Sequence, residues 1–120
     1  MAEDNDLNAE IAAVILERAG LKVERVEDGL QCISRITEMP AGTYDIILMD
    51  IQMPKMDGYK ATQTIRNLSD QEKACIPIIA MTANAFEEDK RAAIAAGMNG
   101  HIAKPIQVDK LLSILAEIIR

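Results

Sequence analysis

The sequence is poor in aromatic residues, and this shortage limits the functions open to it. Tyr44, Tyr59 and Phe86 are the aromatic residues of the 120-residue chain, which has no tryptophan. A platform that stacks the bases of single-stranded nucleic acid needs several such rings, so this kind of binding is not expected. Apolar residues nevertheless make up 49% of the chain, so the core must be built from aliphatic side chains and methionine.

The chain also lacks an excess of basic residues, a cysteine framework and a long apolar run. Its 13 Lys and Arg are outnumbered by 19 Asp and Glu, which argues against direct binding to a nucleic acid backbone. Cys32 and Cys75 stand apart without C-x-x-C spacing, and we interpret them as reduced thiols of a cytoplasmic protein. No apolar run approaches ~18 residues, so no direct membrane contact is expected for this chain. The domain could still be one module of a membrane-bound parent protein.

Two kinds of segment alternate along the chain. Some carry apolar residues at helical spacing, and others are short apolar or alternating runs typical of strands. The spacing predicts helices over 7–19, 29–38, 58–67, 85–96 and 107–119, and strands over 21–26, 45–50, 77–82 and 101–103. Asp6, Asp28 and Asp57 are the predicted N-caps of the first three helices. Because strands that alternate with helices form parallel βαβ units, we expect residues 1–120 to be one α/β domain with a doubly wound parallel sheet.

Polar residues follow the predicted strands at the ends where such folds bind ligands. Glu3 and Asp4 follow the first two residues, and Asp50, Thr82 and Lys104 each end or follow a strand. The three carboxylates offer the oxygen ligands that Mg²⁺ prefers, and Asp50 can act as a nucleophile that forms an acyl phosphate. Lys104 and Thr82 can donate to phosphoryl oxygens. Together these groups favour phosphoryl transfer to a carboxylate.

Four stretches carry a resemblance to a known family: EDND at 3–6, DIILMDIQMPKMDG at 45–58, MTANA at 81–85 and KPI at 104–106. In this order and spacing, the sequence resembles response-regulator receiver domains of two-component signalling, in the style of receivers attached to hybrid sensor histidine kinases. The resemblance implies a flavodoxin-like fold with a five-stranded parallel sheet and five helices. It also implies a histidine kinase or a histidine phosphotransfer domain as the partner.

The resemblance assigns roles to individual residues. It implies that Asp50 is the phosphoacceptor, that Lys104 pairs with it and with the phosphoryl group, and that Thr82 is the switch hydroxyl. His101 stands where the family commonly has a Tyr or Phe that changes rotamer. We therefore expect His101 either to act as a switch together with Thr82 or to stay at the surface, and not to bind metal.

A metal site is implied by the same resemblance. Glu3 and Asp4 match the acidic pair of the family, and Gln52 matches the position whose backbone carbonyl completes the site together with Asp50. The expected cofactor is Mg²⁺ or Mn²⁺.

The first strand is nearly missing from the sequence. In the family, a run of apolar residues precedes the acidic pair and forms the central strand, but here only Met1 and Ala2 do so. Unpaired backbone groups at the centre of a sheet would each cost roughly 1–3 kcal/mol if buried. We therefore expect that the first strand is truncated, and that the sheet is either altered or completed by strand exchange in an intermolecular dimer. We also expect weakened metal affinity, because Glu3 and Asp4 depend on that strand.

Two functions stay open at this point. The first is a phosphoacceptor module of a phosphorelay, which catalyses its own phosphorylation rather than turning over a substrate. The second is a receiver-like interaction module that has lost phosphorylation together with its first strand. A phosphatase with an Asp nucleophile would need a second Asp where the chain has Gln52, and a dinucleotide-binding enzyme would need a G-x-G-x-x-G turn that is absent.

Overall fold

Helices and strands follow one another much as the spacing predicts. The computed structural model describes residues 1–82, 87–104 and 106–118. The strands are β1 (Ile47–Asp50), β2 (Ile78–Thr82) and β3 (Gly100–Ala103). The helices are α1 (Asp6–Arg18), α2 (Gly29–Glu38), α3 (Gly58–Arg66), α4 (Gln71–Ala74), α5 (Glu87–Ala96) and α6 (Val108–Ile118).

The three strands form a parallel sheet in the order β1-β2-β3. Asp50 pairs with Met81, and Thr82 pairs with Ala103, so the carboxyl ends of the strands lie along one edge. On the other side of β1, Ala2 makes parallel bridges to both Met49 and Val26. The predicted parallel sheet is confirmed, with residues 1–3 lying at its centre.

Both faces of the sheet are covered by helices. On one face, buried residues of β1 and β2 pack against α2, α3 and α5. On the other face, Leu48, Ile79 and Met81 pack against α1 and α6. Alternate residues of each strand therefore enter different cores, as the two-residue period of a strand requires. This arrangement confirms the predicted doubly wound layers.

Met1 and Ala2, which precede the acidic pair, pair with the backbone on both sides of them, whereas the sequence predicts a gap at the centre of the sheet. Ala2 donates its N–H to Leu48 O at 2.8 Å and accepts from Asp50 N at 2.9 Å. On the opposite side, Val26 N donates to Met1 O at 2.9 Å and Glu3 N donates to Val26 O at 3.0 Å. The expected central gap is therefore closed along residues 1–3 by the chain itself.

The predicted strand 21–26 is wrong over most of its length. Among the described residues, only Val26 of that segment forms a sheet bridge. A strand needs a neighbour that pairs with its backbone, and the segment 1–3 reaches only as far as Glu24, whose carbonyl accepts from Met1 N. Residues 21–23 instead border a groove of about 820 Å³ that Met1 also lines. Strand exchange with another chain, which was expected for the central gap, stays a prediction.

Most predicted helix and strand bounds agree with the structure within two residues. The N-cap of α1 is a correction, since Asn5 rather than Asp6 accepts from the N–H of Asn8. Asp28 and Asp57 cap α2 and α3 as predicted. Helix α4 was not predicted, because one turn is too short to show a periodic apolar pattern. Within the part of the chain that the structure describes, no helix has the length and apolar character needed to cross a bilayer.

Two quoted motifs fall partly outside the described residues. The stretch 83–85 of MTANA, the first residues of the predicted helix 85–96 and Pro105 lie there. Thr82 and Lys104, which precede these gaps, are described.

Arg66, the last residue of α3, forms hydrogen bonds with the end of α4 and with the turn between α5 and β3. Its guanidinium donates to Gly97 O at 2.8 Å, to Ala74 O and Ile76 O at 2.7 Å each, and to Asn99 Oδ1 at 2.8 Å. Three of these bonds go to backbone carbonyls at or just beyond the ends of α4 and α5, where helical partners are lacking. One side chain therefore ties α3 to α4 and to the turn that precedes β3.

We expect Arg66→Met to lower the free energy of unfolding by roughly 2–4 kcal/mol, because several half-buried acceptors lose their donor together. Urea unfolding followed by circular dichroism measures the change. The exposed Arg18 supplies the control, since Arg18→Met should leave the midpoint nearly unchanged. Equal midpoints for the Arg66 variant and the wild type would contradict this role.

Candidate functional site

Asp50 is held in place by the backbone on both sides of it. Its N–H is bonded to Ala2 O, and its Oδ1 accepts from Gln52 N at 3.2 Å. Gly58 packs so closely behind it that an added Cβ would lie 2.4 Å from Asp50 O. The loop between β1 and α3 therefore requires glycine at this position, and the buried Asp50 carboxylate is fixed at the edge of the sheet.

Three carboxylates meet at this edge. Oxygen atoms of Glu3, Asp4 and Asp50 lie within 4.8 Å of one another. Glu3 is 2% exposed and Asp50 5%, whereas Asp4 is exposed to solvent. The structure thus brings together the acidic residues predicted from the sequence.

Lys104 lies between the two buried carboxylates. Its Nζ is 2.7 Å from Glu3 Oε2 and 3.0 Å from Asp50 Oδ2. Its own N–H donates to Thr82 O at 2.8 Å, which continues the ladder between β2 and β3 by one residue. The predicted lysine therefore reaches the site because the sheet positions its backbone.

The electrostatics of this cluster follow from its burial. Burial raises the pKa of Asp50 to about 6, and the negative charge of Glu3 adds to this, while the ammonium of Lys104 and the N–H of Gln52 act against it. Burial disfavours the charged form of Lys104, but its hydrogen bonds to Glu3 and Asp50 outweigh this and raise the pKa of Lys104. Lys104 is therefore a cation at neutral pH, and Asp50 is less acidic than an ordinary aspartate.

The donor set fits a divalent cation. All three carboxylates supply the hard oxygen ligands of Mg²⁺, and one of them faces solvent, as suits an ion that keeps several waters. When every group is ionised, the three carboxylates and Lys104 leave a net formal charge of −2, which a divalent ion would cancel. The role of the Gln52 carbonyl as a further ligand stays a prediction.

Thr82 and His101 share one face of the sheet. Ala80 pairs with His101, and Thr82 pairs with Ala103, so the four side chains point to the same side. Thr82 is buried at the end of β2, one residue beyond the partner of Asp50, and His101 is half-buried. The geometry is compatible with the predicted switch pair, and the switching itself stays a prediction. The metal cluster of the described residues does not include His101.

Sequence reasoning missed Arg25 at this edge and predicted Asp28 only as the cap of α2. Arg25 donates from Nε and Nη2 to the backbone carbonyl of Glu3. Asp28 is buried where it caps α2, with Lys55 Nζ 3.8 Å from its carboxylate. A capping pattern signalled Asp28, but no pattern in a single sequence distinguishes Arg25 from a surface arginine.

Comparisons with known proteins agree on one family. The family model described as response regulator receiver domain matches residues 1–116. The signal transduction histidine-protein kinase BarA of Escherichia coli K12 is 39% identical over 113 residues, which cover 94% of this chain and 12% of that protein. The peroxide stress-activated histidine kinase mak1 of Schizosaccharomyces pombe is 37% identical over 99% of this chain and 7% of its own length.

A solved structure gives the same result for the fold. The receiver domain of sensor histidine kinase PA1611 from Pseudomonas aeruginosa PAO1 matches with a TM-score of 0.84 and 38% identity, covering 97% of this chain and 91% of that one. That structure holds a magnesium ion coordinated in its active site cleft. The predicted flavodoxin-like receiver fold is thereby confirmed.

Replacing Asp50 with asparagine should stabilise the metal-free protein. A carboxyl whose pKa is higher in the folded state favours its protonated form there, so its ionisation destabilises the fold as pH rises from about 4 to about 6. Asp50→Asn should therefore raise the free energy of unfolding at pH 7 by roughly 1–3 kcal/mol, and the gain should fade as pH falls toward 4.

Urea unfolding in EDTA at several pH values measures this difference. Asp57→Asn is the matched control, because asparagine caps a helix as well as aspartate does and Asp57 is exposed. A variant that is less stable than the wild type at pH 7 would show that Lys104 outweighs the burial of Asp50.

Proposed function

The chain belongs to the response-regulator receiver family, and we propose that residues 1–120 form one receiver domain that takes a phosphoryl group from a phosphohistidine onto Asp50. The observation that carries this proposal is the position of Lys104 Nζ, between Asp50 and Glu3 at hydrogen-bond distance from both. A fixed carboxylate, a second buried carboxylate and a lysine in contact are what a phosphoacceptor site of this kind needs.

The reaction moves one phosphoryl group between two side chains. An Asp50 oxygen attacks the phosphorus, an O–P bond forms and the N–P bond to the partner's imidazole breaks. The imidazole nitrogen leaves with the bonding electron pair and takes a proton from water, while Asp50 becomes an acyl phosphate. Lys104 would contact a phosphoryl oxygen, and Thr82 would donate to another.

Glu3, Asp4 and Asp50 would hold Mg²⁺ or Mn²⁺, with the Gln52 carbonyl as a further ligand. The bound cation would offset the repulsion between an anionic nucleophile and an anionic phosphoryl group. The oxygen ligands of the three carboxylates support this assignment. The ammonium of Lys104 lies where the two buried carboxylates meet, and during transfer it would exchange its contact with Glu3 for one with the phosphoryl group.

Phosphorylation would be transmitted through Thr82 and His101. A phosphoryl group on Asp50 would draw the Thr82 hydroxyl toward it, and His101 would respond because it shares that face of the sheet. A change of rotamer at His101 would alter the surface beside β3.

The domain is proposed to work within a larger signalling chain. It spans 12% and 7% of the two histidine kinases described above. We infer a phosphorelay in which a histidine kinase or histidine phosphotransfer domain supplies the phosphoryl group, in the cytoplasm and without direct contact with nucleic acid or membrane.

Intact mass after incubation with phosphoramidate tests the proposed chemistry. We expect a gain of one phosphoryl group with Mg²⁺, and no gain with EDTA or in Asp50→Asn. Asp45→Asn, which alters an aspartate near the start of the predicted strand 45–50, should still be phosphorylated. A wild-type protein that gains no mass in Mg²⁺ would reject the proposal and favour the alternative of a non-phosphorylated interaction module.

A strip of exposed apolar side chains lies on α1 beside this site. Leu7 is 64% exposed, Ile11 47% and Val14 44%, at a spacing that places them on one helix face. Ile11 also lines a small cleft of about 60 Å³ together with Lys104 and Ile106. We propose that the helix bearing the phosphohistidine packs its apolar face on this strip.

Leu7→Gln combined with Ile11→Gln should slow transfer from a phosphorylated histidine phosphotransfer domain at least about tenfold, because a few central residues carry most of the binding energy of an interface. Phosphorylation by phosphoramidate should keep its wild-type rate, since a small donor needs no docking surface. Leu112→Gln, on the exposed side of α6, is the control. Equal loss with both donors would place the defect in the site and not in docking.

A further inference from the structure

The guanidinium of Arg25 spans the two ends of the segment that carries Asp4. Nε and Nη2 donate to Glu3 O at 3.0 and 2.9 Å, and Nη1 lies 2.8 Å from Asp6 Oδ1. The Arg25 side chain is 28% exposed, whereas Asp6 is 89% exposed. The two bonds to the Glu3 carbonyl are therefore the shielded part of the contact, and the ion pair to Asp6 is the solvated part.

This contact lies between the end of the central sheet segment and the start of α1. The last ladder bond of the central segment is Glu3 N to Val26 O, and α1 begins at Asp6. Between these points, Asp4 belongs to neither element, although its carboxylate is one of the three that meet at the site. The Glu3 carboxylate pairs with Lys104 Nζ at 2.7 Å and accepts from Asn5 N at 3.2 Å. The Glu3 backbone carbonyl accepts from Arg25.

We propose that Arg25 is a positioning residue for the divalent cation: its two bonds to Glu3 O fix the backbone at Glu3, so that the carboxylates of Glu3 and Asp4 face the ion together. The inference rests on the proposed function and adds to it a residue outside the ligand set. Neighbours that orient a ligand typically change metal affinity about 10–100-fold when they are removed. The planar fork of arginine matters, because lysine can supply only a single bond of the two that Glu3 O receives.

Mg²⁺ binding by isothermal calorimetry tests this, at a temperature where all variants are folded. We expect Arg25→Met to raise the Kd about tenfold and Arg25→Lys to raise it by a smaller factor. Asp6→Asn should change the Kd less than about twofold, since an exposed ion pair contributes little. Arg35→Met is the matched control, because Arg35 pairs with Glu24 at 3.1 Å and takes no part in the hydrogen bonds of Glu3 and Asp6.

Two further readouts separate positioning from a general effect on stability. With phosphoramidate, the Mg²⁺ concentration for half-maximal rate should rise in Arg25→Met, while the rate at saturating Mg²⁺ stays within about threefold of the wild type. The urea midpoint measured in EDTA reports stability alone. An unchanged Kd in a folded Arg25→Met protein would overturn the proposal even if that midpoint falls.

Measurements on the wild type distinguish failure of the proposed phosphoacceptor function from failure of the Arg25 inference. If the wild type binds no Mg²⁺ and gains no phosphoryl group, the proposed function fails and the inference fails with it. If the wild type does both and the Arg25 variants match it, only the inference is overturned.

Discussion

The contact between Lys104 and the buried carboxylates of Glu3 and Asp50 is the interaction on which the site depends. It joins three segments that are far apart in sequence and that come together only because the strands are parallel and end at the same edge. Two carboxylates buried this deeply need a counter-charge, since an unpaired buried charge is strongly unfavourable. The ammonium of Lys104 supplies one positive charge, and the remaining negative charge would suit the proposed divalent cation.

The same contact explains why so short a central segment is retained at the middle of the sheet. Residues 1–3 make backbone hydrogen bonds to Val26 on one side and to Leu48 and Asp50 on the other, and Glu3 adds the ion pair with Lys104. Each bond contributes modestly on its own. Together they hold the acidic pair against β1, although residues 21–23 border a groove and pair with no strand among the described residues.

Periodicity was enough to predict the layers, because buried strands such as 47–50 and capped helices such as 29–38 carry local signals. The site residues Asp50 and Lys104 were also predictable, since each follows an apolar strand and parallel strands share an edge. The segment 21–26 was mispredicted because its alternating pattern says nothing about whether a neighbour exists to pair with it. Arg25 was missed for a similar reason, since its partner is a backbone carbonyl more than twenty residues away, which no local pattern encodes.

Burial and reactivity oppose each other at Asp50. Burial raises its pKa to about 6, which makes its oxygens more basic and would suit the proposed attack on phosphorus, but it also disfavours the ionised form that would react. A divalent cation on the neighbouring carboxylates would favour ionisation without removing Asp50 from its fixed position. Lys104 contacts one oxygen of Glu3 and one of Asp50, so a cation bound to the same carboxylates would repel its ammonium. That repulsion would favour release of Lys104 toward a phosphoryl oxygen, and under the proposed function it would couple metal binding to readiness for phosphoryl transfer.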